Sequence, residues 1–334
     1  FTLRKLRIAL GKTKVPGLFP QVRHRYVGID ISPQAIKVVE LSRSQGAFKL
    51  QAYAIEPLPA GLADDQTGAE PKSVVQVLLK ALAEAAVVAR DAAVAIPDGR
   101  LICKTLEVEA GLSEVELELH VRLEAEQYVP YALEDVALDF EVQGNSLSHP
   151  ARVNVHMVAC RQEALEWYRS VLSDVGLNLR VVAVQSHAMA RGVDAMVSGL
   201  ALQGAVAVVD CATHTTQLSI VQQGEVIYSR ELLFGHATAG VQAFQSTLVQ
   251  HLERGLELFV ESGIKGVVSM IVLAGEAVSS PGTSQWVEDR LGVPTRTANP
   301  FLAMSLNPAL APETLLCHAP VLLTACGLAL RGFD

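Results

Sequence analysis

Two stretches of the chain carry the same alternation of apolar runs and short polar turns. The first extends from Tyr26 to Pro59 and the second from Ala205 to Gly235. Each begins with an apolar, β-rich run that ends in an aspartate, Asp30 or Asp210. A turn with hydroxyl side chains follows, then a second strand, a glycine turn and a third strand. Because tight turns join consecutive strands, the pattern predicts two antiparallel three-stranded units.

The pattern between and after these units changes to mixed helices and strands. Residues 92–179 predict a compact α+β insert, which interrupts a first lobe made of 26–91 and 180–204. Residues 205–334 then form a second lobe. The predicted helices lie at 73–88, 162–175, 241–262, 286–291 and around 325–329, and the predicted strands at 92–96, 101–108, 136–142, 153–159 and 267–274.

A capping box marks the start of one helix inside the insert. Ser113 and Glu116 have the spacing at which the serine side chain and the glutamate side chain each bond the other residue's backbone N–H. The predicted helix is acidic, amphipathic and ends near Pro130. Its glutamates are interpreted as a solvated face.

Composition limits the class of protein. Half of the 334 residues are hydrophobic, 19% are charged and the formal net charge is -8. This balance argues against nucleic acid as a partner, since binding phosphates requires concentrated Lys and Arg. No apolar run reaches the roughly 18 residues needed to cross a bilayer, so a soluble protein is expected. The scattered cysteines predict neither a disulfide framework nor a structural zinc site.

The segment 1–25 has the opposite charge to the rest of the chain. It carries seven basic residues and no acidic one. Such an arm is either a solvated tail or a segment that rests against anionic lipid headgroups.

The two aspartate turns supply the candidate chemistry. Amides and hydroxyls in a tight turn form a nest for phosphate oxygens, and a neighbouring carboxylate can hold Mg²⁺, usually through water. If Asp30 and Asp210 face each other across a cleft, their two turns would clamp a polyphosphate. An aspartate at a single hairpin is also a common turn former. The shared order of strand, aspartate, hydroxyl, strand and glycine favours a two-lobed nucleotide-binding fold.

Several segments resemble the superfamily of actin, the heat-shock ATPase chaperones (Hsp70) and the sugar kinases, an α/β, ribonuclease H-like fold with two lobes. More narrowly, the chain resembles the PilM family, actin-like proteins of type IV pilus assembly. The superfamily resemblance lies in 28–32, Lys37, the Asp210 loop, 273–275 and 325–329, and the family resemblance in 54–59, 122–130, 298–301 and 326–334.

The resemblance implies ATP or ADP with Mg²⁺ in the cleft between the lobes. Mg²⁺ would be held by Asp30 and Asp210, through water. Gln185 falls where related folds place a residue that orients water, although a plain polar residue at a helix start is an equal interpretation. The implied nucleotide-binding residues are Asp30, Ser32 and Lys37 at the first phosphate loop, Asp210, Thr213 and Thr215 at the second, and Gly275 and Glu276 in the adenosine motif.

Three positions depart from the family pattern. Pro33 lacks the N–H that a phosphate nest would offer. Ala212 replaces a small glycine that would allow close approach of a phosphate. Glu276 adds bulk and negative charge near a polyanion. Together they predict weakened or absent ATP binding, and at most a slow ATPase.

The resemblance also implies partners. The insert corresponds to the extra subdomain, SHS2-like, that the family shares with the division protein FtsA. The groove between this insert and the first lobe would take the cytoplasmic N-terminus of PilN, an inner-membrane protein. Pilus motor ATPases and other platform proteins are further expected partners. The expected location is cytoplasmic and peripheral, at the inner face of the bacterial inner membrane.

Two other functions compete with that of an adaptor. A sugar kinase-like phosphotransferase needs a catalytic carboxylate over an acceptor hydroxyl, and only the two loop aspartates are candidates. A filament former like FtsA would be expected to have a C-terminal amphipathic helix, and the sequence ends at 331–334 without one. Near 236–262 the second lobe is expected to have a reduced small subdomain, or to lack part of it in the sequence.

Overall fold

The computed structural model describes residues 7–8, 25–59, 71–146, 149, 151–200, 202–235, 241–279 and 282–334. The basic arm predicted at 1–25 therefore lies almost wholly outside the described residues. Among the described helices, none is by itself long and apolar enough to span a bilayer; one pair bent by 90°, Pro312–Val321 with Leu323–Phe333, meets the length and composition criteria together.

The first lobe is built on a seven-stranded sheet in the order β1-β9-β5-β2-β3-β4-β15. Its central strands β2, β3 and β4 form consecutive antiparallel pairs, and β5 and β9 continue from β2 in parallel. The strands are β1 (Arg7–Ile8), β2 (Tyr26–Ile31), β3 (Ala35–Ser44), β4 (Ala47–Pro57), β5 (Asp91–Ile96), β9 (Asn178–Val184) and β15 (Ser305–Leu306).

The second lobe repeats this plan in a five-stranded sheet, ordered β12-β11-β10-β13-β14. Here β10, β11 and β12 are antiparallel, and β13 and β14 continue from β10 in parallel. The predicted pair of antiparallel three-stranded units is therefore confirmed. The strands are β10 (Ala205–Cys211), β11 (Thr216–Gln222), β12 (Glu225–Leu232), β13 (Val268–Ala274) and β14 (Thr295–Thr297).

Helices cover both sheets and connect the lobes. They are α1 (Pro71–Glu84), α2 (Glu114–Ala125), α3 (Gln162–Asp174), α4 (Gln185–Val197), α5 (Val241–Glu261), α6 (Thr283–Leu291), α7 (Pro312–His318) and α8 (Leu323–Leu330). Between β12 and β13, the described residues of the predicted reduced subdomain form the single helix α5, and 236–240 lie outside the description.

The insert is smaller than its predicted bounds of 92–179. Its own sheet contains three strands in the order β6-β8-β7, with β6 (Ile102–Glu109), β7 (Val136–Asn145) and β8 (Arg152–Arg161). Residues 92–96 instead belong to β5, which lies between β2 and β9 in the first lobe. Their apolar run is buried, as in a parallel strand covered on both faces.

The helix at the end of the predicted insert also belongs to the first lobe. Buried side chains of α3, including Tyr168 and Leu172, share a hydrophobic core with α1 and with strands of the seven-stranded sheet. The capping box predicted at Ser113 and Glu116 is present at the start of α2. The insert proper therefore extends from the end of β5 to the start of α3.

Helix α8 lies buried between β2 and α4, and all eight of its residues are buried. Two glycines allow this contact. A Cβ atom at Gly28 would overlap the carbonyl oxygen of Ala325, and one at Gly327 would overlap that of Ala188. The small residues of 325–329 therefore let α8 approach the backbones of β2 and α4 closely. The seven-stranded sheet, α8 and α4 therefore form one packed unit.

Candidate functional site

A cavity of about 360 Å³ lies between the two lobes, and both aspartate turns line it. Strands β2 and β10 each place their carboxyl end at this cavity, so that Asp30 and Asp210 lie next to the last residue of equivalent strands from opposite lobes. Ligands of open α/β sheets bind at the carboxyl ends of the strands. The two aspartate turns predicted from the sequence therefore do line the same cavity.

The first turn holds a buried ion pair. Asp30 and Lys37 are directly opposite one another in the β2–β3 pairing, and Lys37 Nζ lies 3.0 Å from Asp30 Oδ2. The same Nζ donates a hydrogen bond to Ser32 Oγ at 3.1 Å. Burial alone would lower the pKa of Lys37, but the carboxylates of Asp30 and then Asp210 raise it above its ordinary value. Lys37 is therefore a fixed positive charge at the base of the cavity.

The second turn holds a less compensated carboxylate. Asp210 Oδ2 accepts a hydrogen bond of 3.0 Å from Gln185 Nε2, at the first residue of α4. Burial raises the pKa of Asp210 to about 6, and the negative charges of Asp30 and Glu276 add to this rise while Lys37 opposes it. Asp210 remains partly exposed because its carboxylate borders the cavity. The site therefore favours an added positive charge.

The hydroxyls of the two turns have different surroundings. Ser32 Oγ donates to the carbonyl of Ala35 at 2.9 Å and accepts from Lys37, so it closes the turn rather than pointing free into the cavity. Pro33 lies beside it and offers no N–H. Thr213 and Thr215 line the opposite wall, within the second turn.

The predicted adenosine motif lies where β13 ends. Gly275 has φ +94°, and a Cβ there would overlap the backbone of Cys211, so only glycine fits this approach of two strands. Its N–H donates to the carbonyl of Pro320 at 3.0 Å. The exposed Glu276 follows and raises the pKa of both Lys37 and Asp210.

Asp98 also lines the cavity and is not among the site residues predicted from the sequence. Its Oδ2 accepts a 3.0 Å hydrogen bond from the N–H of Ser186, and its Oδ1 accepts from the Ser186 hydroxyl, so it binds the first turn of α4. Burial raises the pKa of Asp98, although the hydrogen bonds from Ser186 act to lower it. Its position at the carboxyl end of β5, next to β2, was the available signal. Arg100, Gln217 and Glu231 also line the cavity.

The residues present fit a magnesium ion bound through water better than one in a direct protein cage. The described part of the chain contains no group of three or more His, Cys, Asp or Glu side chains placed to hold a metal. The Asp210 carboxylate nevertheless has excess negative charge, which Mg²⁺ with its retained waters would compensate. A cavity of about 360 Å³ is within the size range of small-molecule sites.

Comparisons with known proteins agree with this architecture. One solved relative is a chain of the "PilM-PilN type IV pilus biogenesis complex", 26% identical, which covers 93% of this chain and 99% of its own length with a TM-score of 0.79. The ethanolamine utilization protein EutJ of Carboxydothermus hydrogenoformans is similar in fold, with 16% identity, coverage of 95% of this chain and 92% of its own, and a TM-score of 0.50.

The two matching lobes around one cavity confirm the predicted actin-like fold. A family model described as "Type IV pilus assembly protein PilM" matches residues 28–242 and 237–333, which is nearly the whole chain. The chain therefore belongs to the PilM family of type IV pilus assembly proteins.

Proposed function

We propose that this protein is a cytoplasmic adaptor of type IV pilus assembly, bound at the inner face of the inner membrane through a PilN-like protein. The observation that carries the proposal is the full-length similarity to a chain from a complex with PilN. The ligand is the N-terminal cytoplasmic tail of that membrane protein. Contacts with pilus motor ATPases would place the adaptor between the motors and the membrane proteins.

The proposed place for the tail is the groove between the insert and the first lobe, which we call the tail cleft, or simply the cleft. The insert contributes Glu141 and His156, opposite each other on β7 and β8, and the first lobe contributes His187 on α4. The rings of His156 and His187 stack with centroids 5.9 Å apart. His156 Nε2 is buried and has no hydrogen-bond partner among the described residues, so a peptide group could bond it only if the insert moved away from α4.

Charge and strand geometry at the cleft suit an extended peptide. Burial raises the pKa of Glu141, with Glu225 adding to the rise and Arg331 opposing it, so acidic and basic groups face the same space. Strand β7 is an edge of the insert sheet. An extended tail can pair its backbone with such an edge while side chains enter neighbouring pockets.

Nucleotide with Mg²⁺ is proposed as a structural or switching ligand in the cavity, rather than as a rapidly consumed substrate. Asp30 and Asp210 would hold Mg²⁺ through water, and Lys37, Thr213 and Thr215 would face the phosphates. Bound Mg²⁺ would neutralise the excess negative charge of the site. The departures at Pro33, Ala212 and Glu276 are expected to weaken this binding.

One helix connects the cavity with the cleft. The first residue of α4, Gln185, bonds Asp210 in the cavity, and His187, two residues later, contacts His156 in the cleft. Asp98, which binds the same helical turn, lies at the start of the insert, two residues after the end of β5. A ligand that moves the lobes would therefore move one wall of the cleft, and differential affinity for the two arrangements would couple the sites.

The tail site can be tested by fluorescence anisotropy with a labelled peptide from the N-terminus of a PilN-like protein. We expect saturable binding, a shift in affinity when Mg-ATP is present, and at least ten-fold weaker binding by Glu141→Lys. The same charge reversal on the second lobe, Glu253→Lys, is the matched control and should bind normally. If the peptide fails to bind with or without nucleotide, the adaptor function is wrong. Equal loss in both variants would contradict the location.

Replacing Asp210 by asparagine tests the cavity. Without ligand at pH 7.5, we expect the free energy of unfolding to rise by about 1–2 kcal/mol. The rise in pKa from 3.8 to about 6 corresponds to about 3 kcal/mol in full, and water in the cavity screens part of it. Because the folded pKa is raised, the wild type loses this stability as the pH increases from about 4 to about 6. Urea denaturation at several pH values should show that slope only in the wild type.

The same variant should lose stabilisation by Mg-ATP. Calorimetry is expected to give a binding signal with the wild type and none with Asp210→Asn, and thermal melting should rise with Mg-ATP only for the wild type. Asp174→Asn, at the exposed end of α3, is the control. Silence in the wild type would show a degenerate site, and equal binding by Asp210→Asn would contradict the role of this carboxylate.

A sugar kinase-like activity is not favoured. Such an enzyme needs a carboxylate that can accept the proton of an acceptor hydroxyl. In the described cavity, Asp30 is paired with Lys37, Asp98 binds the start of α4, and Asp210 accepts from Gln185. The family and the solved relative both indicate pilus assembly instead.

A further inference from the structure

Helix α2 of the insert has an unusual sequence pattern for a helix. From Glu114 to Ala125, polar and apolar residues alternate at every position. Such alternation is typical of a strand, in which it would place all apolar side chains on one face. In a helix with 3.6 residues per turn, it divides them between two opposite faces. The capping box at Ser113 and Glu116 nevertheless starts a helix here, so one apolar face must point away from the insert.

The structure shows which face points outward. Val121 and Ala125 are fully buried against the insert sheet, and Leu117 packs with them. The opposite face carries Val115, Leu119 and Leu123, which are 74%, 61% and 57% exposed. We call these three residues the α2 stripe. Their spacing of four places them in one row about 12 Å long.

The stripe does not belong to the proposed tail cleft. The α2 side of the insert sheet carries Val155 and Met157 beneath the helix, whereas the alternate residues His156 and Val158 face the first lobe. The stripe lies on the far side of α2 from that sheet. Apolar side chains exposed in a row of this kind mark an interaction surface more often than scattered single residues do.

The charge around the stripe specifies the chemistry of its partner. Helix α2 and its C-cap carry five glutamates, at positions 114, 116, 118, 124 and 126, against one arginine. That arginine, Arg122, is paired with Glu118 at 3.6 Å. An anionic lipid surface or a second acidic α2 helix would be repelled. A helix with an apolar row flanked by Lys or Arg would match both the stripe and its border.

We propose that the α2 stripe is a docking surface for a basic amphipathic helix of a partner protein. Val115, Leu119 and Leu123 provide a ridge of residues four apart, which packs against a similar ridge at a crossing angle of about 50°. The surrounding glutamates orient the partner and speed its association. This surface is separate from the tail cleft and from the cavity.

The experiment uses the whole protein and a labelled synthetic helix with leucines four residues apart, flanked by lysines. Anisotropy at about 50 and 200 mM salt should show saturable binding that weakens with salt. A peptide of the same composition in permuted order should bind at least ten-fold more weakly. Leu119→Glu should also weaken binding at least ten-fold, and Glu118→Gln should reduce the salt dependence. Thermal melting of Leu119→Glu should match the wild type, since Leu119 is exposed.

The matched control is Val260→Glu on α5, since Val260 is 72% exposed and lies in the other lobe. It should bind the helix as the wild type does. Equal binding of the permuted peptide, or unchanged binding by Leu119→Glu, would overturn the proposal. So would concentration-dependent dimers or binding to phosphatidylserine vesicles that Leu119→Glu abolishes, because these identify a second copy or a membrane as the occupant. Leu119→Glu should bind the PilN-derived peptide normally, which separates this proposal from the adaptor function.

Discussion

A Lys37→Met variant is expected to lose about 3–5 kcal/mol of unfolding free energy at pH 7, the cost of leaving a buried charge without its partner. Asp30 and Lys37 are both about nine-tenths buried in their side chains, and their contact is 3.0 Å long. Methionine preserves much of the volume of lysine but removes the charge that compensates Asp30 and Asp210. Urea denaturation followed by circular dichroism would measure the loss.

The pH dependence of this effect has a definite sign. The folded pKa of Lys37 is raised above its ordinary 10.5, so its stabilising contribution is fully present below that pH and is lost as the pH rises through the folded value. Lys265→Met, at an exposed position, should leave stability unchanged. The double variant Asp30→Leu with Lys37→Met should recover part of the loss, because both charges are then absent. A loss below about 1 kcal/mol in the single variant would show that the pair is hydrated.

Gly327→Ala is expected to destabilise the protein by about 3 kcal/mol, at the upper end of the range for overfilled cores. The added Cβ would overlap the carbonyl oxygen of Ala188, which belongs to the backbone of α4 and cannot rotate away. Helix α8 would then have to separate from α4, and α4 carries Gln185 and His187. Weaker tail binding should accompany the loss of stability.

Gly199→Ala provides the control, because a Cβ there meets no atom within 4 Å. Its stability should remain within about 0.5 kcal/mol of the wild type. Thermal and urea unfolding of the two variants would compare them directly. Equal stability of Gly327→Ala and the wild type would mean that α8 and α4 can shift apart at little cost, contrary to their close packing.

The antiparallel units were predictable because each depends on neighbours in the sequence. Alternation and tight turns fix the β2–β3 register, and that register places Lys37 opposite Asp30. The start of α2 was equally local, since its capping box needs only Ser113 and Glu116. The nucleotide-binding roles of these residues remain predictions.

The limits of the insert were not predictable in the same way. Paired residues of β5 and β2 are 65 positions apart in the chain, and those of β5 and β9 are 87 or 88 apart. No local signal therefore distinguishes β5 from a strand of the insert. Asp98 was missed for the same reason, because its contact with Ser186 joins segments 88 positions apart. The exposed α2 stripe likewise became visible only when one face of the helix was seen to pack on its sheet.

The amino-acid sequence by itself determined the two hairpin units, the aspartate at the end of each leading strand, and the helix start at Ser113, because short-range hydrogen bonding and side-chain alternation fix them. Only the tertiary structure decided that Asp30 and Asp210 share one cavity, that α4 contacts both this cavity and the insert, and which apolar face of α2 is left exposed. These features depend on packing between segments that are distant in the chain. A local sequence pattern does not reveal the free energy of such packing.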